Sequence, residues 1–219
     1  MKVRNTQSRA RSRGFNRLEI LVIVAVLAVL AVAYLADRKK RMDRARLIAC
    51  MGNLKNVGLS FRQWALDHQD AFPMSLSTNL GGTLEHVATG EVWRHFLVMS
   101  NELNTPVILG CHSDPDLVRV RHFTPAFSNT HISYFVGVDA NETMPQMFLT
   151  GDRNLEGGTR LPDRMLLLTS NDTVRWSKRM HRHQGNVGLS DGSVQRFSSL
   201  RLQEALPHTG TATNRLALP

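Results

Sequence analysis

The chain has 219 residues, and 27 Lys and Arg against 18 Asp and Glu give a formal net charge of +9. Hydrophobic residues at 42% and charged residues at 21% make a globular balance that excludes wholesale disorder, and two cysteines exclude a disulfide scaffold or a four-cysteine zinc site. The surplus of positive charge raises nucleic acid or an anionic membrane as a partner, so its distribution along the chain matters.

That distribution is uneven. Residues 1–14 carry Lys2, Arg4, Arg9, Arg11 and Arg13 and no acid. Ile20 to Ala36 then runs 17 residues without a charge. As a helix this stretch is about 25 Å long, near the lower limit for crossing a bilayer. A second basic cluster follows at Arg38, Lys39, Lys40, Arg41, Arg44 and Arg46. With basic residues on both sides, the positive-inside rule does not decide the orientation.

Three readings compete for this segment. One is a plain signal anchor. Another is a cleaved secretory peptide, because Ala31-Val32-Ala33 fits an A-x-A cleavage site. The third turns on Gly14, Phe15 and Glu19. A carboxylate at the edge of an apolar run is costly and needs a partner. A free α-amino group on Phe15 of a neighbouring copy, released by a cut after Gly14, is such a partner.

Gly14-Phe15-x-x-x-Glu19 before an apolar run resembles the class III signal of type IV pilins and type II secretion pseudopilins. The resemblance implies a leader, residues 1–14, removed by a prepilin peptidase on the cytoplasmic face, and N-methylation of Phe15. It implies a membrane-spanning segment over 18–36 with a cytoplasmic N-terminus and a periplasmic head. It implies assembly into a filament with other copies or other pilin-like subunits, on an inner-membrane platform, with Glu19 neutralising a neighbour's N-terminus. Arg17 stands where the family usually has an apolar or small hydroxyl residue.

From Asp37 to about Gln69 the pattern stays helical. Leu47, Met51, Leu54, Gly58, Phe61 and Ala65 recur every three or four residues, with Cys50, Val57 and Trp64 widening the stripe. Pro73 stops it. Residues 17–69 therefore read as one long helix whose stripe a sheet would cover. Residues 74–90 read as loop and Gly90 to Asn101 as a short helix. Strand candidates follow at Val107–Cys111, Ile132–Val138, Met147–Thr150 and Met165–Thr169, bounded by turn residues. Asp191-Gly192 between the runs 186–189 and 194–197 is a strong hairpin signal. Leu200–Leu206 suits a last short helix, and the tail from Pro207 reads as loop. The fold class is α+β, pilin-like: a long N-terminal helix over 15–72 and a small antiparallel β-rich head over 73–219.

A second resemblance covers the body. Cys50-Met-Gly-Asn53-Leu54-Lys55, then Cys111-His112-Ser-Asp114-Pro115, then His181-x9-Asp191-Gly192 are similar to a subgroup of bacterial pilin-like proteins with a C-terminal H-x9-DG signature. Those chains usually have Cys-Pro where this one has Cys111-His112. His181, Asp191 and Gly192 enter as a structural motif.

Other chemistry is thin. Cys50 and Cys111 are candidates for a disulfide across a loop of about 60 residues, worth about 2–4 kcal/mol, or for two buried free thiols. His181 and His183 lack a third ligand at a recognised spacing, so no metal is expected there. Asp139, Asn141 and Glu142, and Asp152 with Asn154, form oxygen-rich loops. They admit a weak calcium reading without any EF-hand pattern, and no other cofactor is expected. No Gly-x-Ser-x-Gly, Walker or dinucleotide glycine pattern occurs, so an enzyme is not expected. Loss of residues 1–14 lowers the charge from +9 to +4, and six basics at 38–46 lie beside anionic headgroups. Lipid is thus the expected partner of that charge, and nucleic acid is not. The function expected is a pseudopilin-like filament subunit. The alternatives are a type IV pilus subunit and a membrane-anchored periplasmic binding module that never polymerises.

Overall fold

The computed structural model describes residues 16–219. Gly14, Phe15 and the leader lie outside them. One helix, α1, runs Arg17–Leu66. By compactness the chain divides after Met42, and the remainder, Asp43–Pro219, is one unit. In the first unit every side chain of the apolar run is exposed, from Leu18 to Leu35. In the second, the helix buries Leu47, Cys50, Leu54, Val57, Gly58, Phe61, Trp64 and Ala65, the expected stripe with Met51 at its half-buried edge. The helix ends before Pro73 acts. Gln69 and Asp70 turn left-handed at φ 59° and 56°, and the amides of His68 and Asp70 both donate to the Ala65 carbonyl.

Beyond the helix, residues 73–86 form three 3-10 turns rather than plain loop. The expected 90–101 helix is two short pieces, α2 (Trp93–Leu97) and α3 (Ser100–Leu103). Nine strands follow: β1 (Tyr134–Gly137), β2 (Phe148–Asp152), β3 (Leu155–Glu156), β4 (Thr159–Arg160), β5 (Met165–Thr169), β6 (Arg175–Trp176), β7 (Gln184–Leu189), β8 (Val194–Ser198) and β9 (Thr213–Ala217). A helix α4 (Ser199–Ala205) separates β8 from β9. Seven strands form one antiparallel sheet in the order β4-β5-β9-β1-β2-β7-β8, and β3 pairs with β6 as a separate ribbon. This is the expected α+β arrangement of a long helix and an antiparallel sheet.

Two expectations are corrected. Val107–Cys111 is not a strand: Pro106–Leu109 is a 3-10 turn, with Pro106 in its first turn and the Thr105 hydroxyl accepting from the Val107 amide. The tail from Pro207 is not all loop, because β9 inserts between β5 and β1 in the sheet. Its sequence, Thr-Asn-Arg-Leu-Ala, hides its apolar face.

Both faces of the central sheet are covered, which explains strands such as Met165-Leu166-Leu167-Leu168 that carry no polar alternation. Tyr134, Val136 and Leu149 pack with the α1 stripe, Phe96 and Met99. Phe135, Leu166, Leu168, Val187 and Leu216 face the other way, packing with Trp176 and with Leu202 of α4. Of the three tryptophans expected in the core, Trp64 and Trp176 are buried and Trp93 is half-buried.

Candidate functional site

The hairpin β7–β8 docks lengthwise on α1, and His181, Asp191 and Gly192 sit at its two ends. Gly192 takes φ 82° in the turn, where the Ser193 amide donates to the Asp191 carboxylate. Asp191 stays at negative φ, so one left-handed residue suffices here. Arg62 of α1 donates to the Asp191 carbonyl at 2.9 Å, and a Cβ added to Gly58 would lie 3.9 Å from the Gly192 Cα. One turn back along α1, a Cβ on Gly188 would meet Leu54 at 3.6 Å. A further turn back lies Cys50, whose thiol gathers with Cys111 and His181. Cys50, Leu54 and Gly58 are spaced four apart on one helix face.

At the His181 end, groups from four elements converge on one buried point. Cys50 comes from α1. Cys111 follows the 106–109 turn, its amide donating to the Ser133 hydroxyl at 3.0 Å. His181 precedes β7, and Asp152 ends β2. The Sγ atoms of Cys50 and Cys111 and a ring nitrogen of His181 all lie within 4.8 Å of one another. Cys111 Sγ is 3.2 Å from His181 Nε2, and the same nitrogen is 3.5 Å from Asp152 Oδ2. Both thiols are fully buried and free, the His181 side chain is 2% exposed, and Asp152 is fully buried. His181, Arg182 and His183 all adopt positive φ, between 47° and 65°. Such a run is costly for non-glycine residues and holds the imidazole inward.

Asp152 Oδ2 accepts from the backbone amide of Asn186 at 2.7 Å and from its side-chain amide at 2.9 Å, while Oδ1 has no hydrogen-bond partner. The Tyr134 hydroxyl and Asn186 Oδ1 are also buried without partners. Burial pushes the Asp152 carboxyl up to about 7, against the pull of His181 and the Asn186 amide. Burial alone would lower His181, but the neighbouring Cys50 thiol and the charge of Asp152 outweigh burial and raise it. The two thiols share one ionisation. The neighbouring Cys111 thiol, helped by His181, draws Cys50 well below the ordinary thiol range. That same contact, with burial and Asp152, holds Cys111 protonated.

The other sequence-derived candidates fall elsewhere. Glu19 lies in the first turn of α1, accepting from the Asn16 amide at 2.9 Å. His183 is exposed, its Nδ1 near the Trp176 carbonyl. Of the oxygen-rich loops, Asp139 pairs with Arg215, Glu142 with Arg62, and Asn154 donates inward to the Ser177 and Met180 carbonyls. Asp152, read as part of such a loop, is instead a core carboxylate of the thiol cluster. No spacing in the sequence announces that role. The nearest signal is that Asp152 closes a strand of apolar residues.

Among the described residues, one helix is long and apolar enough to cross a membrane, with a mean hydropathy of 2.9 over its best window and none of that window buried. No protein-family model, no curated protein and no solved structure matches the chain.

Proposed function

We propose that this chain is a membrane-anchored structural subunit of a pseudopilus-like filament. It is cut between Gly14 and Phe15, held by residues 18–36 in the inner membrane with its head in the periplasm, and assembled through the N-terminal half of α1. The observation that supports this best is the pairing of Gly14-Phe15-x-x-x-Glu19 with a helix that is apolar and uncovered from Ile20 to Ala36 and becomes the packed spine of the head. An apolar surface on all sides of a helix has two natural partners, hydrocarbon and other such helices. Glu19 sits at the start of that surface. There its charge would oppose transfer into an apolar bundle unless a neighbour's amino terminus neutralised it. The Glu19→Ala variant tests this. Expressed with a prepilin peptidase and an assembly platform, it should be processed normally but recovered in sheared filaments at least tenfold less than the unaltered chain. Equal recovery would remove the role assigned to Glu19.

A further inference from the structure

We infer that Cys50, Cys111 and His181, with Asp152 beside them, form a buried binding site for a zinc-class metal ion, which ties α1 to the sheet. Tetrahedral zinc with thiolate and imidazole ligands holds its donor atoms about 3.4–3.8 Å apart. The observed 3.2 Å from Cys111 Sγ to His181 Nε2 needs only a small adjustment to reach that range, and Asp152 Oδ2 lies 3.5 Å from the same nitrogen. All three sulfur and nitrogen donors already lie within 4.8 Å of one another. Softness fits as well: two thiols and an imidazole select zinc over calcium or magnesium.

The fourth position lies beside Asp152, whose Oδ2 is 3.5 Å from His181 Nε2. Asp152 Oδ1 is buried with no hydrogen-bond partner, and a buried carboxylate oxygen left bare is expensive. Its sister Oδ2 is fixed by two Asn186 donors, the kind of outer support that orients metal-ligating carboxylates. The Ser113 amide points at Cys111 Sγ from 3.4 Å and would support a thiolate there. Two thiolates, a neutral imidazole and a carboxylate around a divalent ion carry one net negative charge. The cleft of about 420 Å³ that reaches His181 is rimmed by Arg44, Arg46, Lys178 and Arg196, which offset it. Binding displaces to solvent whatever protons the two thiols and the imidazole still hold, and requires no oxidant.

The site does not depend on whether the chain enters a filament. It differs from a plain staple because it keeps the sulfurs reduced and recruits His181, which a Cys50–Cys111 disulfide would leave idle.

The test uses the full chain in detergent micelles, purified without chelator and with its thiols kept reduced, and titrated with zinc alone and then cobalt alone. The site predicts about one tightly held ion per chain. It also predicts thiolate-to-cobalt charge-transfer absorption with intense tetrahedral bands, and a fall of about 10 °C in melting temperature on chelation. Cys111→Ser and His181→Ala should lose the cobalt spectrum, whereas His183→Ala should keep it. A ligand variant that unfolds is uninformative, so the wild-type titration decides: reduced wild-type chain that takes up no cobalt or zinc overturns the site. So does protein isolated from cells whose intact mass is lower by two hydrogens and whose two thiols are blocked to alkylation.

Discussion

The two halves of α1 are one continuous helix with opposite surroundings. From Ile20 to Ala36 it is apolar on every side and nothing covers it, whereas from Leu47 to Ala65 one apolar face is buried. Local hydrogen bonding is the same in both, so backbone propensity does not separate them. The side-chain pattern does. An all-round apolar surface calls for a medium, and a stripe calls for a sheet. The changeover falls at the basic cluster 38–46, where charged side chains occupy every face of the helix.

The largest effect should come from breaking the medium. Arg at both Leu27 and Leu30 places two charges at the middle of the span, each costing about 2.5–3.5 kcal/mol in a bilayer. That double variant should leave the alkali-resistant membrane pellet, and unchanged pelleting would contradict the anchoring role. A smaller effect should follow from altering the stripe. Leu54 is fully buried against the β7 backbone, so Leu54→Ala should destabilise the head by about 3 kcal/mol in a urea titration of the full chain in micelles. Leu59 lies on the open face of the same helix, and Leu59→Ala should change stability by less than about 0.5 kcal/mol. Similar losses at the two positions would erase the distinction between faces.

A smaller loss than that at Leu54 concerns pH. His95 is buried, its Nδ1 at 2.7 Å from the Thr83 hydroxyl. Burial, with a minor contribution from His86, depresses it from 6.5 to about 4. The folded value lies below the unfolded one, so the unfolded chain takes up the proton first as pH falls. Stability from this group is complete above pH 6.5 and is lost progressively toward pH 4. Between pH 7 and pH 5 the loss should be about 2 kcal/mol, and His95→Gln should flatten that part of the profile relative to wild type. An identical slope in the variant would show that His95 is not the group responsible.

How much of this could be read from the chain depended on the range of the interactions. The long helix, the Asp191-Gly192 hairpin and the β5 strand at Met165–Thr169 are written in neighbouring residues, and they stand where the sequence put them. Strand β9 is not. Its polar Asn214 and Arg215 break the alternation, and its place in the sheet comes from pairing with β5 and β1, about 50 and 80 residues earlier along the chain. The run 107–111 misled for the opposite reason. Four apolar residues suit a strand or a tight helical turn equally, and Pro106 with the Thr105 cap decided for the turn. The thiol site lies between these cases. Cys50 was legible on the helix stripe and His181 in its motif. Their meeting with Cys111 and Asp152 follows only when β2 and β7 are laid side by side against α1.

The central claim is that the N-terminal half of α1 is a processed membrane and assembly segment. Mass spectrometry of the mature N-terminus, from cells with a functional prepilin peptidase, tests it most directly. The chain should begin at Phe15 and carry a single N-methyl group. A chain that retains Met1, or one that begins at Tyr34 after cleavage behind Ala33, would contradict it.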